Sequence, residues 1–262
     1  MIMGITGPPG AGKSTLVDQL AKTLRREGKS VGIIAVDPSS PYSRGAILGD
    51  RIRMQDHHSD PGVFIRSMAS RGHLGGVAWS TLDLALLLDA AGRDVVMIET
   101  VGVGQDEVDI ARLGDVTVLV LVPGMGDDVQ AIKAGIMEIA DVFTINKADL
   151  PGADRLEQEI RAVQSFADAV ERKEAAPVRR VIATDGKGID ELLTVIRSVF
   201  EKRGNQSARL ERWAFRLREL LRESLLASIS EDDIQRHADL VAAKVKDPYT
   251  AVEELRDQLL AT

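Results

Sequence analysis

Short apolar runs recur along most of the chain, at Ile2–Thr6, Val31–Asp37, Val63–Arg66, Val95–Glu99, Val116–Val122, Val142–Asn146 and Val178–Ala183. They are rich in Val and Ile and mostly lack the apolar–polar alternation of a half-exposed strand. Such runs predict strands buried on both faces. Between them lie stretches with helical patterning: Ser14–Arg26, Leu82–Ala91, Val129–Ile139, Arg155–Val170 and Ile189–Phe200. Strand and helix in alternation predict an α/β fold, Rossmann-like, with a mostly parallel sheet and right-handed crossovers.

The pattern changes near Gly204-Asn205-Gln206-Ser207. No strand-like run follows. Leu210, Trp213, Leu217, Leu220, Leu221 and Leu225 fall on one helical face. A second helix is expected to start at Ser230, and a third at Asp247-Pro248, with Pro at its first position. Residues 1–203 are therefore expected to form one domain and residues 204–262 a C-terminal helical extension whose apolar stripe either packs on the first domain or pairs two subunits. The basic residues Arg209, Arg212, Arg216 and Arg222 interleave with Glu211, Glu219 and Glu223. That face reads as solvated rather than as a nucleic-acid surface.

Composition narrows the function. The chain has 262 residues, 44% of them hydrophobic, and a net charge of −7. An acidic chain lacks the clustered Lys and Arg that neutralise nucleic-acid phosphates. With no cysteine, disulfides, thiolate metal sites and Cys nucleophiles are excluded. No apolar run reaches the roughly 18 residues of a membrane span. The start, "MIMGIT", is too short for a secretory signal. These features predict a cytoplasmic protein with no nucleic-acid or membrane partner.

"GPPGAGKST" carries the first chemistry. Gly7, Gly12, Lys13 and Ser14 stand in the register G-x-x-x-x-G-K-[ST], after a predicted strand and at the start of a predicted helix. Across Gly7, Pro8, Pro9, Gly10, Ala11, Gly12, Lys13, Ser14 and Thr15, backbone N–H groups can close around phosphate oxygens, aided by the helix dipole. Lys13 would reach the β- and γ-phosphates, and Ser14 would ligate Mg²⁺.

"FTINKADL" places Asn146, Lys147 and Asp149 after a later strand. In N-K-x-D the carboxylate accepts from N1–H and the exocyclic amine of guanine. Adenine lacks that donor pair and would leave Asp149 desolvated and unpaired. The nucleotide is therefore expected to be GTP or GDP. In "VIATDGKGIDEL", Ile182, Ala183 and Thr184 lie where backbone N–H groups can meet the guanine O6.

Oxygen ligands for Mg²⁺ are available. Asp37 ends one apolar run, Glu99 ends another, and Asp50 lies in "AILGDRIRM" with Arg53 after it. With Ser14, the three acids could ring one ion, and the sequence leaves open which bind directly. Lys13, Asp37, Asp50 and Arg53 are the candidate catalytic residues, Arg53 as an internal arginine finger. In "VVMIETVGVGQDEVD", Val103 rather than Gln follows Gly102. The water-positioning Gln of common small GTPases is thus absent at its usual offset, which predicts slow intrinsic hydrolysis completed by a partner. His57-His58 lack a third ligand at metal-site spacing.

Several segments together resemble one family closely: "GITGPPGAGKST", "AVDPSSP…GAILGDRIRM", "IETVGVGQDEVD", "VPGMGDDVQAIKAGIMEIAD" and "INKAD", with "DPYTAVEEL" in the tail. They resemble the MeaB/ArgK-type G proteins. These are P-loop GTPase chaperones of adenosylcobalamin-dependent methylmalonyl-CoA mutase. The resemblance implies a Mg²⁺-dependent GTPase that gates cofactor loading or protection on an acyl-CoA mutase, often dimeric through its C-terminal helices. It implies that Lys13, Ser14, Asp37, Asp50 and Glu99 serve phosphate and Mg²⁺, and that Gly124–Lys133 forms an extra switch facing the mutase. There are three departures. The chain starts on its first strand where the family usually carries a helical extension. Arg44 replaces a glycine, and Ile182 replaces a serine. Nickel delivery is disfavoured by the lack of Cys and of a His-rich tract. A kinase role is disfavoured by N-K-x-D. A nucleotide-gated scaffold with negligible turnover is the remaining alternative.

Overall fold

The computed structural model describes residues 1–38, 57, 59–70, 76–100, 114–124, 140–171, 175–203 and 206–260. The expected helix Val129–Ile139, Arg44, Asp50, Arg53, His58, Gly102, Val103, Gln105 and the 125–133 part of the expected switch lie outside them. The chain divides into two compact units, Met1–Asn205 and Gln206–Thr262.

In the first unit the order is β1 (Ile2–Thr6), α1 (Lys13–Arg26), β2 (Val31–Pro38), β3 (Val63–Ser70), α2 (Gly76–Ala90), β4 (Val95–Glu99), β5 (Val116–Leu121), β6 (Val142–Ile145), α3 (Ala153–Glu171), β7 (Val178–Arg180) and α4 (Ile189–Arg203). The strands form one sheet in the order β3-β2-β4-β1-β5-β6-β7. All pairings are parallel. Every residue of β1, β4, β5 and β6 is buried, which explains their unbroken apolar character.

Alternate residues feed opposite faces of the sheet. Met3, Ile5, Met97, Val118 and Val120 pack with Leu16, Leu20 and Leu24 of α1 and with Leu192 and Ile196 of α4. On the other face Ile2, Ile34, Val96 and Ile98 meet Ala85 and Leu88 of α2. Leu119, Leu121, Phe143 and Ile145 meet Leu156 and Ile160 of α3. The result is a sheet between two helical layers. From β1 the chain crosses to the β2 side, and from β5 to the β6 side. The carboxyl ends of β1 and β5 therefore flank the point where crossovers diverge, the place where open α/β sheets bind ligands.

The opposite ends of the strands are held by carboxylates. Asp94, Asp115 and Asp141 each directly precede a strand. Their Oδ2 atoms accept from the amides of Ser30 at 2.8 Å, Ile2 at 2.7 Å and Thr117 at 2.9 Å. Each bond satisfies a backbone donor where ladder pairing begins.

Several elements depart from their expected bounds, β3, α2 and β7 among them. The structure extends β3 to Ser70, beyond the expected end at Arg66, because Arg66–Ser70 pairs with Ile34–Pro38. Helix α2 begins at Gly76 rather than Leu82. Gly76, Val77 and Thr81 are poor helix formers, so local propensity gives no sign of this start. Strand β7 ends at Arg180, short of Ala183. There the chain folds back through an Ile182–Lys187 bridge around a 3₁₀ turn, Ala183–Asp185.

The second unit contains α5 (Gln206–Ala227), α6 (Glu231–Ala242) and α7 (Pro248–Leu260). Ser230 caps α6, its hydroxyl oxygen accepting from the Asp233 amide at 3.1 Å. Asp247 Oδ1 accepts from the amides of Tyr249 and Thr250 at 2.9 and 3.0 Å. Each cap is worth about 1 kcal/mol. Buried His237 joins the last two helices, with Nδ1 2.9 Å from the Asp233 carbonyl and Nε2 3.1 Å from Glu254 Oε2. Leu210, Trp213, Leu217, Leu220, Leu221 and Leu225 of α5 are exposed. Among the described residues no helix is long and apolar enough to cross a membrane.

One consequence is measurable. Hydrogen bonds from the Ser30 amide and hydroxyl, then from Lys29, bring the Asp94 pKa from 3.8 to about 2. A depressed carboxylate pKa stabilises the folded state above 3.8, and the contribution is lost as pH falls through about 2. Asp94→Ala should therefore melt below the parent at neutral pH, with the gap closing on acidification below 3.8. Melting curves across that range check it. A gap that persists in acid would show that Asp94 acts through packing instead.

Candidate functional site

The site begins where β1 ends. Gly7 has φ 143° and Gly12 has φ 84°. A Cβ at Gly7 would lie 2.1 Å from the Val120 carbonyl oxygen, and one at Gly12 would lie 2.5 Å from Asn146 Nδ2. No other residue fits either position without moving β5 or Asn146. Gly12 directly precedes α1, so the helix amino terminus faces the loop and contributes its dipole.

Lys13 is buried at 6% exposure, and its Nζ donates to the carbonyls of Gly7 at 2.7 Å and Pro8 at 3.1 Å. The ammonium is thus held inside the curve of the loop, where phosphate oxygens need a cation. Ser14 Oγ donates to Glu99 Oε1 at 2.6 Å. Glu99 is 5% exposed at the carboxyl end of β4. Parallel pairing of β4 with β1 sets Glu99 beside Ile5 and so brings a residue 85 positions away onto the phosphate loop. Hydroxyl and carboxylate oxygens side by side are donors of the type Mg²⁺ prefers.

Asp37 lies in β2, two residues past Ala35, which pairs with Glu99. That puts its backbone at the same sheet end, while its side chain lies outside the described residues, as do Asp50 and Arg53. Among the described residues no group of three or more His, Cys, Asp or Glu side chains could hold a metal.

The base loops are tied to the phosphate loop through Asn146. Its Nδ2 donates to the Ala11 carbonyl at 2.9 Å. Its Oδ1 accepts from the amides of Lys147 at 2.8 Å and Ala183 at 3.1 Å. Lys147 sits at φ 53°, a left-handed conformation uncommon outside glycine and concentrated at functional sites. Its Nζ donates to the Gly10 carbonyl at 3.0 Å. Asp149 is exposed beyond the turn, open to a planar base. Ile182 exchanges backbone bonds with Lys187 at 3.0 and 3.2 Å, which presents Ala183 and Thr184 on the 3₁₀ turn. Lys187, then Thr184, hold the Asp185 carboxyl below its ordinary range.

The structure thus gathers Gly7 through Ser14, Glu99, Asn146, Lys147 and the Ala183 turn at one sheet end. Two residues that stand inside the quoted segments, but were given no role there, join them. Buried Thr100 donates through Oγ1 to Oγ1 of buried Thr6 at 3.0 Å. The available sequence signal was only position: Thr6 ends one apolar run and Thr100 directly follows another.

Residues 1–233 match the family model described as methylmalonyl-CoA mutase-associated GTPase MeaB. A Pyrococcus abyssi protein designated "Putative GTPase" is 48% identical across 99% of this chain and 83% of its own. GTPase ArgK of Escherichia coli is 45% identical across 72% of this chain and 58% of its own. The crystal structure of an LAO/AO transport system kinase superposes with a TM-score of 0.66 at 29% identity, covering 99% of this chain and 82% of that one. An Archaeoglobus fulgidus hydrogenase maturation factor HypB, TM-score 0.55 at 20% identity over 76% of this chain and 90% of that one, shares the fold. The phosphate loop, the Asn146 hub and the match along most of the chain converge: the chain belongs to the MeaB family of P-loop GTPases.

Proposed function

We propose that this GTPase is Mg²⁺-dependent and serves as a chaperone of an adenosylcobalamin-dependent acyl-CoA mutase of the methylmalonyl-CoA mutase type. Nucleotide state would gate loading or protection of the mutase cofactor. The observation that supports the metal-dependent chemistry is Ser14 Oγ against Glu99 Oε1 at 2.6 Å, beside buried Lys13. The client is supported by the family description alone. The same reading places the protein in the cytoplasm.

Ser14 and Glu99, with Asp37 and Asp50, would hold Mg²⁺, which supplies charge neutralisation on the phosphate oxygens. Lys13 exchanges its two carbonyl partners for the β- and γ-phosphate oxygens. The loop amides orient the phosphate chain for in-line attack by water. Arg53 can supply further positive charge to the transition state. Asp149 pairs with the guanine edge, and Asn146 keeps that pocket registered to the phosphates. A Gln directly after Gly102 is missing, so the mutase completes water positioning or the switch geometry.

The solved relative called a kinase raises phosphoryl transfer to a protein as a second reading. N-K-x-D and the family favour hydrolysis. We further propose that the exposed α5 stripe pairs two subunits, because six large apolar side chains on one helix are costly to leave in water.

Three outcomes are expected. Asp149→Asn should weaken GTP binding by roughly two orders of magnitude and favour xanthosine triphosphate, whose 2-oxo group accepts from the amide. Isothermal titration with both nucleotides measures this, and unchanged preference rejects the guanine pocket. GTP turnover should rise several-fold with saturating mutase, and Lys13→Ala should abolish basal and stimulated rates alike. Indifference to the mutase removes the client. Truncation after Arg203 should leave GTP binding intact and convert a dimer to a monomer in light scattering. A truncated chain that still dimerises assigns the interface elsewhere.

A further inference from the structure

We propose that Thr100 and Thr6 form a positioning pair that sets the distance between Glu99 and the phosphate loop, and so controls metal-dependent turnover. The inference rests on the Mg²⁺ reading above and adds two residues that had no role in it.

Strands β1 and β4 run parallel with Ile5 opposite Glu99. The Thr100 amide donates to the Ile5 carbonyl at 3.0 Å. Two residues past Ile5, Gly7 turns away at φ 143° to begin the phosphate loop. At that point the side chains take over. Thr100 Oγ1 donates to Thr6 Oγ1 at 3.0 Å, and both residues are almost fully buried, at 4% and 1% exposure.

The position of this pair is functional as well as structural. Thr6 adjoins Gly7, whose carbonyl holds Lys13 Nζ at 2.7 Å. Thr100 adjoins Glu99, whose carboxylate receives Ser14 Oγ at 2.6 Å. The hydroxyl bond thus ties the end of β1 to the end of β4, and the Ser14–Glu99 bond ties the start of α1 to that same end of β4. Threonine suits the task because its branched Cβ restricts χ1. A hydroxyl bridge between two stiff side chains fixes separation better than an apolar contact, which has no preferred direction. With nucleotide and metal bound, the Thr6–Thr100 bond would keep the Glu99 carboxylate at its distance from the loop. Thr6 and Thr100 touch neither substrate nor metal in this scheme. They act through Gly7 and Glu99.

Removing either hydroxyl should loosen Glu99 without altering the base pocket. Thr100→Val keeps shape and deletes the donor. It should lower kcat for GTP roughly ten-fold, the scale of one buried hydrogen bond realised in the transition state. It should also raise the Mg²⁺ concentration for half-maximal turnover several-fold and leave KM for GTP within two-fold. Thr100→Ser should restore both kcat and the Mg²⁺ requirement. Thr6→Val removes the same bond from the other side, so a folding failure of one variant leaves the other to decide. A pair acting as one unit predicts that Thr6→Val/Thr100→Val is no worse than either single change.

Parental kcat and Mg²⁺ dependence in both single variants would overturn the proposal while leaving the Mg²⁺ reading intact. Multiplicative losses in the double variant would overturn it too, as would a lowered melting temperature with unchanged kinetics. A parent enzyme whose turnover survives chelation of Mg²⁺ would overturn the metal reading and this pair's role together.

Discussion

The side-chain amide of Asn146 is the joint on which the site depends. Its nitrogen binds the Ala11 carbonyl and its oxygen binds the Ala183 amide. The loops after β1, β6 and β7 are therefore held by one rigid planar group. Aspartate could not reproduce this, because a carboxylate has no donor for Ala11. Gly12 belongs to the same joint, since a Cβ there would run into Asn146 Nδ2. The proposed phosphate and base loops lie far apart in sequence, and this clamp fixes their spacing.

The other half of the site is built by strand register. β4 carries Glu99 to the loop because it pairs with β1 in parallel, with Ile5 opposite Glu99. A shift of one residue would turn Glu99 to the other face of the sheet. The aspartates before β4, β5 and β6 work against such slippage at the far edge, where they tie the strand starts to their neighbours. A precise site at the carboxyl ends thus depends on pinned amino ends. Helices α1 and α4 cover one face of the sheet and α2 and α3 the other, which excludes water from the strands between them.

The helical unit follows different physics. Its helices are set by local signals: the Ser230 cap, the Asp247 cap with Pro248 behind it, and the His237–Glu254 link. Its α5 stripe remains exposed on the chain. Those apolar side chains define a surface that gains free energy when another surface covers it.

Much of this was legible in the sequence. Buried parallel strands declare themselves as Val- and Ile-rich runs, and the phosphate loop, N-K-x-D and the tail caps are local patterns. Each depends on residues close together in the chain, so spacing alone carries the information. The extent of β3 was not legible, because Arg66–Ser70 takes its conformation from pairing with Ile34–Pro38 rather than from its own propensities, and the early start of α2 runs against the propensities of its first residues. The Asn146 clamp could be named only as a base-selecting residue. Its bonds to Ala11 and Ala183 exist because β1, β6 and β7 end at the same edge. The Thr6–Thr100 pair was invisible for the same reason, being two ordinary threonines until β1 and β4 lie side by side. The sequence by itself determined the class of fold and the chemistry on offer, since periodicity and motif are properties of neighbouring residues. Only the tertiary structure decided which groups meet, because hydrogen bonds between residues such as Ser14 and Glu99 depend on strand order and register.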